Sequence, residues 1–369
     1  MTDAKQENRA PAGRLTLPIE TGIDDEIHAL MERLQVDAVR NSDGTELPDW
    51  VSDGFAKVYS TYFPARGDEE WAVSVPEQRV RQFLMSRPVT ATSNEALSIN
   101  VMEGYLSAQF TPDLVADREH YWQVIDRTTG ETLPTSAWTV TAAPPLPMEA
   151  GADVVGDYPD DAGSAIVVID CPAPFHIYTV DSLAKQIWDS TQTYNYITNH
   201  WADDPTRRKD RTYDVAYPET WNHVKGALGT WLDAHPEVDV VRFTTFFYHF
   251  TLAFDDHARE KYVDWFGYSA AVSIPALEEF AVEHGWRMTP EDFIDAGHYN
   301  TPLRVPSNQF KAWVDFTSRR VSQKAAELVA ITHDEGREAI MFLGDNWIGT
   351  EPYGPYFPAI NLDAVVGSV

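Results

Sequence analysis

Ala339-Ile340-Met341-Phe342-Leu343-Gly344-Asp345-Asn346-Trp347 decides how this chain is read, because an apolar run of strand length passes directly into Gly-Asp. One carboxylate is thereby delivered to the C-terminal end of a strand, the end at which β/α barrels gather their catalytic groups. Just upstream, Ser307 is placed to cap a helix with an inward face of Phe310, Trp313, Val314, Val321, Ala325, Leu328 and Ile331, and Gly336 falls just past its end. Helix, strand and carboxylate form one complete αβ unit.

Working outward, apolar patterning predicts further strands at residues 36–39, 238–247, 266–272 and 364–368. The polar turn Arg40-Asn41-Ser42-Asp43-Gly44-Thr45 after the first of these has the chemistry of a βα loop. Strands alternating with amphipathic helices predict an α/β fold. From about 75 to 170 the helical period is lost. Tyr121-Trp122-Gln123-Val124-Ile125-Asp126 and Ser136-Ala137-Trp138-Thr139-Val140-Thr141 alternate on either side of Thr129-Gly130, so a β-rich insertion is expected there. Ala143-Pro144-Pro145-Leu146-Pro147 and the acidic run up to Gly163 read as an exposed linker. Residues 1–14 are expected to form a disordered tip, and 15–369 one catalytic domain that contains the insertion.

Composition narrows the function. With 43% hydrophobic and 12% aromatic residues the chain can bury a large core. Lys+Arg 28 against Asp+Glu 57 leaves a net charge of −29, a field that repels nucleic acid and anionic membranes, so neither is an expected partner. The acidic surface suits a halophilic source and an ordinary acidic enzyme equally. Cys171 is the single cysteine, which excludes an internal disulfide and fits a cytoplasmic setting. No run of apolar residues reaches the length of a membrane span.

Read by position alone, Asp345 is a catalytic carboxylate or a turn residue. Arg40 and Arg242, at strand ends, either hold an anion or neutralise Asp37, Asp43 or Asp239. Asp292 and Asp295 look like paired carboxylates, yet Pro290 makes a helix start the better explanation. His176, His249 and His298 lack metal-ligand spacing, so no metal site is expected.

The blocks around Arg40, Val241-Arg242-Phe243-Thr244-Thr245-Phe246-Phe247, Asp264-Trp265-Phe266-Gly267, Pro290-Glu291-Asp292-Phe293, the run from Phe342 to Tyr353, and the segment from Asp363 to Ser368 occur together in one order. Together they resemble the 1,3-β-galactosyl-N-acetylhexosamine phosphorylases, also called lacto-N-biose or galacto-N-biose phosphorylases. The resemblance implies a TIM-barrel-like catalytic domain and inverting phosphorolysis of a galactosyl β1,3 bond to α-galactose 1-phosphate. It implies Asp345 as general acid, Arg40, Arg242 and Ser368 at the phosphate, and Asn195 at the sugar. Thr191, Tyr194, Trp347 and Glu351 join the sugar-binding candidates.

Such chemistry accounts for the residue types. Inverting cleavage needs an acid for the leaving oxygen and a nucleophile on the opposite face. Phosphate is itself that nucleophile, so one carboxyl group suffices, with phosphate as co-substrate and no cofactor. Planar guanidinium groups suit its oxygens. Family members continue well past the point aligned with Val369, adding a barrel strand, another arginine and further domains. The barrel is therefore expected to be C-terminally incomplete here, the isolated chain inactive, and the full-length form a homodimer. The alternatives are a galactosyl-rhamnose phosphorylase and an inactive galactoside-binding remnant.

Overall fold

The computed structural model describes residues 15–19, 24–36, 38–41, 47–48, 50–51, 57–64, 68–147, 161–188, 211–243, 251–264, 272–300, 304–343 and 354–367. The chain lays down β1 (Thr16–Ile19), α1 (Asp24–Leu34), β2 (Ala38–Asn41) and β3 (Val58–Tyr62), the three strands pairing in parallel. After α2 (Glu69–Ser74) it leaves this sheet for an antiparallel excursion. That excursion contains β4 (Arg81–Met85), β5 (Val89–Thr90), β6 (Leu97–Asn100), β7 (Phe110–Pro112), α3 (Arg118–Tyr121), β8 (Trp122–Asp126), β9 (Glu131–Leu133), β10 (Trp138–Ala143), β11 (Ser164–Ile169) and β12 (Ile177–Gln186). It returns through α4 (Pro218–Ala234) to β13 (Val240–Phe243) and the hairpin β14 (Thr251–Phe254) and β15 (Glu260–Asp264). Then follow α5 (Ile274–His284), α6 (Pro290–Ile294), α7 (Asn308–Asp334), β16 (Glu338–Leu343) and β17 (Ala364–Gly367).

The six strands outside the excursion and the hairpin stand in the order β1-β2-β3-β13-β16-β17, all parallel. Sequential parallel strands separated by helices are how the wall of a β/α barrel is built. Two of these strands escape the sequence patterning. Thr16-Leu17-Pro18-Ile19 carries a proline, and Val58-Tyr59-Ser60-Thr61-Tyr62 mixes tyrosines with small hydroxyl residues, so neither presents the apolar run of a buried parallel strand.

Helix α7 starts as its sequence dictates: the Ser307 Oγ accepts the Phe310 N–H at 3.0 Å, and Gly336 beyond its end takes φ 72°. Its first half serves one core, where Trp313 and Phe316 sit 5.4 and 5.3 Å from Phe280 of α5. Its second half serves another, with Val321, Ala325 and Leu328 against Val241 and Phe243 of β13 and Ala339 and Met341 of β16. Full burial of each such aliphatic or aromatic side chain contributes about 1.5–3 kcal/mol, so one helix fastens the parallel wall to the insertion.

Within the insertion β12 is the hub, pairing antiparallel with β4, β5, β7 and β8. It extends the β-rich region to Gln186, and because nearly all of its residues are buried it lacks the alternation that marks a half-exposed strand. Gly130 (φ 79°) turns the hairpin of β8 and β9, whereas β10, the second alternating run of the sequence, pairs with β11 in a different sheet. Arg127 ties the insertion to α6, donating to Asp181 at 3.1 Å and to Glu291 at 2.7 Å. Complete burial pushes the Asp181 carboxyl well above the usual carboxylate range. Among the described residues no helix is long and apolar enough to cross a membrane.

Candidate functional site

Strand alternation fixes which side chains enter the barrel. In β2, Val39 packs with Ile27 and Met31 of α1, so Arg40 points from the opposite face. In β13, Val241 and Phe243 pack against Trp221, Val224 and Leu228 of α4, so Arg242 likewise turns away from the helices. The register aligns Arg40 with Tyr59 and Arg242 with Thr61, two positions of like parity on β3. Both arginines therefore share the inward face, one position before the C-terminal end of their strands. By strand geometry they stand about 10 Å apart across the sheet and about 7 Å apart along it.

Their surroundings differ. Arg40 is half-buried, and its Nη1 donates to the Asn41 carbonyl at 3.0 Å. Arg242 is only 7% exposed, and its Nη1 donates to the Thr61 Oγ1 at 3.4 Å. A guanidinium in a closed space is held by hydrogen bonds, and an oxyanion can accept from two of its donors at once.

Long excursions follow the C-terminal ends of β3 and β13. The insertion follows β3 and the β14–β15 hairpin follows β13, and the two are joined where the Leu106 N–H donates to the Phe254 carbonyl at 2.9 Å. Phe254, Leu106, Ile187 and Trp188 share a small apolar cluster, which anchors the entry to residues 189–210. At the other end of that segment Arg211 donates to Glu69 at 2.9 Å. Thr191, Tyr194 and Asn195 belong to this segment and lie outside the described residues, as do Asp345, Trp347, Glu351 and Ser368. Asp345 follows the end of β16 by two positions. The structure thus brings Arg40 and Arg242 to one face and strand end.

Other candidates from the sequence have structural duties. Asp292 closes the capping box of α6, accepting the Thr289 N–H at 2.7 Å, and Asp295 pairs with Arg304 at 2.5 Å. His176 pairs with Asp126 at 2.5 Å. Asp255, Asp256 and His257 approach closely enough to hold a metal ion, but Asp255 accepts the His257 and Arg259 N–H groups at 2.9 Å each, as expected of the hairpin turn it builds. Sequence reasoning passed over Asn41 and Thr61, both buried polar residues of the parallel sheet. The signal was their position: polar residues at the C-terminal ends of barrel strands.

Residues 13–369 match the family described as lacto-N-biose phosphorylase N-terminal TIM barrel domain. The chain is 43% identical over 357 residues to a 1,3-β-galactosyl-N-acetylhexosamine phosphorylase of Lachnoclostridium phytofermentans, covering 97% of this chain and 46% of that protein. It is 40% identical over 357 residues to the Bifidobacterium longum subsp. longum enzyme of that name, covering 97% of this chain and 44% of that one. A D-galactosyl-β-1→4-L-rhamnose phosphorylase of L. phytofermentans is 31% identical over 368 residues, covering 99% of this chain and 47% of the relative. The chain spans about half the length of these curated relatives. Parallel wall, inward arginines and matched sequence agree, and the chain belongs to the lacto-N-biose phosphorylase family through its N-terminal TIM barrel domain.

Proposed function

We propose that this barrel carries out inverting phosphorolysis of galactosyl-β1,3-N-acetylhexosamine disaccharides, yielding α-galactose 1-phosphate and free N-acetylhexosamine. The observation that carries the reading is the pair Arg40 and Arg242, set on one inward face at the C-terminal strand ends. Two guanidinium groups at such a place match the oxygens of a phosphate dianion. Phosphate attacks the anomeric carbon from the face opposite the leaving oxygen. As that C–O bond breaks, the Asp345 proton passes to the departing oxygen, so one carboxyl group completes the reaction. Ser368 completes the phosphate pocket, and Asn195, Thr191, Tyr194, Trp347 and Glu351 line the sugar. Inorganic phosphate is the co-substrate, and the chemistry calls for no metal or organic cofactor. The hexosamine acceptor is favoured over rhamnose by the identities of 43% and 40% against 31%.

The test is phosphorus NMR of the barrel carried in a full-length phosphorylase chain, incubated with lacto-N-biose and inorganic phosphate. The α anomer of galactose 1-phosphate is expected, and Asp345→Asn should slow its release roughly 10²–10⁴-fold, the usual contribution of a general acid. Accumulation of the β anomer would exclude inversion, and near-normal rates in the variant would remove Asp345 from the mechanism.

A further inference from the structure

Asn41, Ser60, Thr61 and Arg242 are all buried, and they run in a polar line across β2, β3 and β13. Strands of a parallel sheet covered on both faces ordinarily fill such positions with Val, Ile or Leu. Asn41 ends β2, where its Nδ2 donates to the Ser60 Oγ at 3.1 Å and its Oδ1 accepts the Thr61 N–H at 2.9 Å. The ladder between β2 and β3 pairs Val39 with Val58 and Arg40 with Tyr59, so the carboxamide extends the attachment past its last aligned pair. Thr61 then meets Arg242 on the inward face, accepting from its Nη1 at 3.4 Å. That bond is long for N–H···O, so it orients the guanidinium and adds little stability.

We propose that Thr61, held by Asn41, is a positioning residue that sets the Arg242 guanidinium relative to Arg40 for phosphate binding. The inference rests on the phosphate reading of the two arginines. The route is continuous: Arg40 precedes Asn41 on β2, Asn41 fixes Thr61, and Thr61 faces Arg242. A shift of one strand against the next would otherwise change the spacing between the guanidinium forks, and bidentate recognition tolerates little such change.

The test is calorimetric titration of inorganic phosphate into the protein and its Thr61→Val, Thr61→Ser, Asn41→Leu and Arg242→Ala variants. Thr61→Val keeps the shape and loses the hydroxyl; it should weaken phosphate binding about tenfold, the effect of a guanidinium no longer held in register with the anion. The Michaelis constant for the disaccharide should stay unchanged, and Thr61→Ser should recover most of the affinity. Asn41→Leu should weaken phosphate binding in the same direction. Unaltered affinity in Thr61→Val overturns the proposal, as does a loss that Thr61→Ser fails to recover, since the methyl packing would then be responsible. Phosphate affinity left intact by Arg242→Ala would instead remove the phosphate site itself, and with it the role assigned to Thr61.

Discussion

Arg40 and Arg242 are the same residue type at equivalent strand positions, yet one is half-buried and the other nearly closed off. Hydrogen bonds to charged groups contribute about 1.5–3 kcal/mol, roughly ten- to hundredfold in binding. Alanine at either position should raise the Michaelis constant for phosphate on that scale while leaving that for the disaccharide near its starting value, with the larger effect at Arg242. Lysine at 242 should restore little, because an ammonium cannot reproduce the planar fork. Steady-state kinetics with each substrate varied separately would show this, and equal effects on both constants would make the arginines structural. Glu278 offers a residue-scale test of a different kind. Hydrogen bonds from Arg287 at 2.6 and 2.7 Å and from the Tyr121 hydroxyl at 2.6 Å hold its carboxyl down at about 2, against an ordinary 4.5. The unfolded chain takes up the proton first, so this stabilisation is complete above about pH 4.5 and is lost as the pH falls through about 2. Thermal melts of the protein and its Glu278→Gln variant should differ at neutral pH and converge towards pH 2; a constant gap would mean the ion pair contributes nothing.

Among the elements, α7 depends most visibly on its cap. Ser307→Ala removes the acceptor for the Phe310 N–H and should cost about 1 kcal/mol, read as a lower melting temperature with secondary structure unchanged. No change in melting would mean the first turn is held by Trp313 and Phe316 alone. This helix and β16 were legible in the sequence because a cap, a 3.6-residue period, a terminal glycine and an apolar run are all local signals. β3 was not, since its five residues Val58 to Tyr62 take their meaning from neighbours 20 and 181 positions away. The same limit applies to the site. That Arg40 and Arg242 sit at strand ends could be read from apolar runs, but that they share a face depends on register across β3. Asn41 and Thr61 acquire a role only once that register is known.

For the whole molecule, a net charge of −29 implies strong mutual repulsion in the folded state. Added salt shortens the screening length from about 10 Å at 0.1 M to about 3 Å at 1 M. The melting temperature should therefore rise with sodium chloride over that range, as followed by circular dichroism. A fall would show that specific ion pairs outweigh the general repulsion.

The Val58 N–H is accepted by Asp239, 181 positions further along the chain. The two halves of the barrel wall are thus made at different times. At roughly 5–20 residues per second, an interval of roughly ten to forty seconds separates the emergence of β3 from that of its neighbour β13. The insertion is made within that interval, and its core is closed only afterwards, by Phe280, Phe293, Phe310 and Trp313. The first three strands meanwhile wait with one edge bare, so the vulnerable stage in the life of this protein falls during its synthesis, and a chaperone that shields strand edges would act there first.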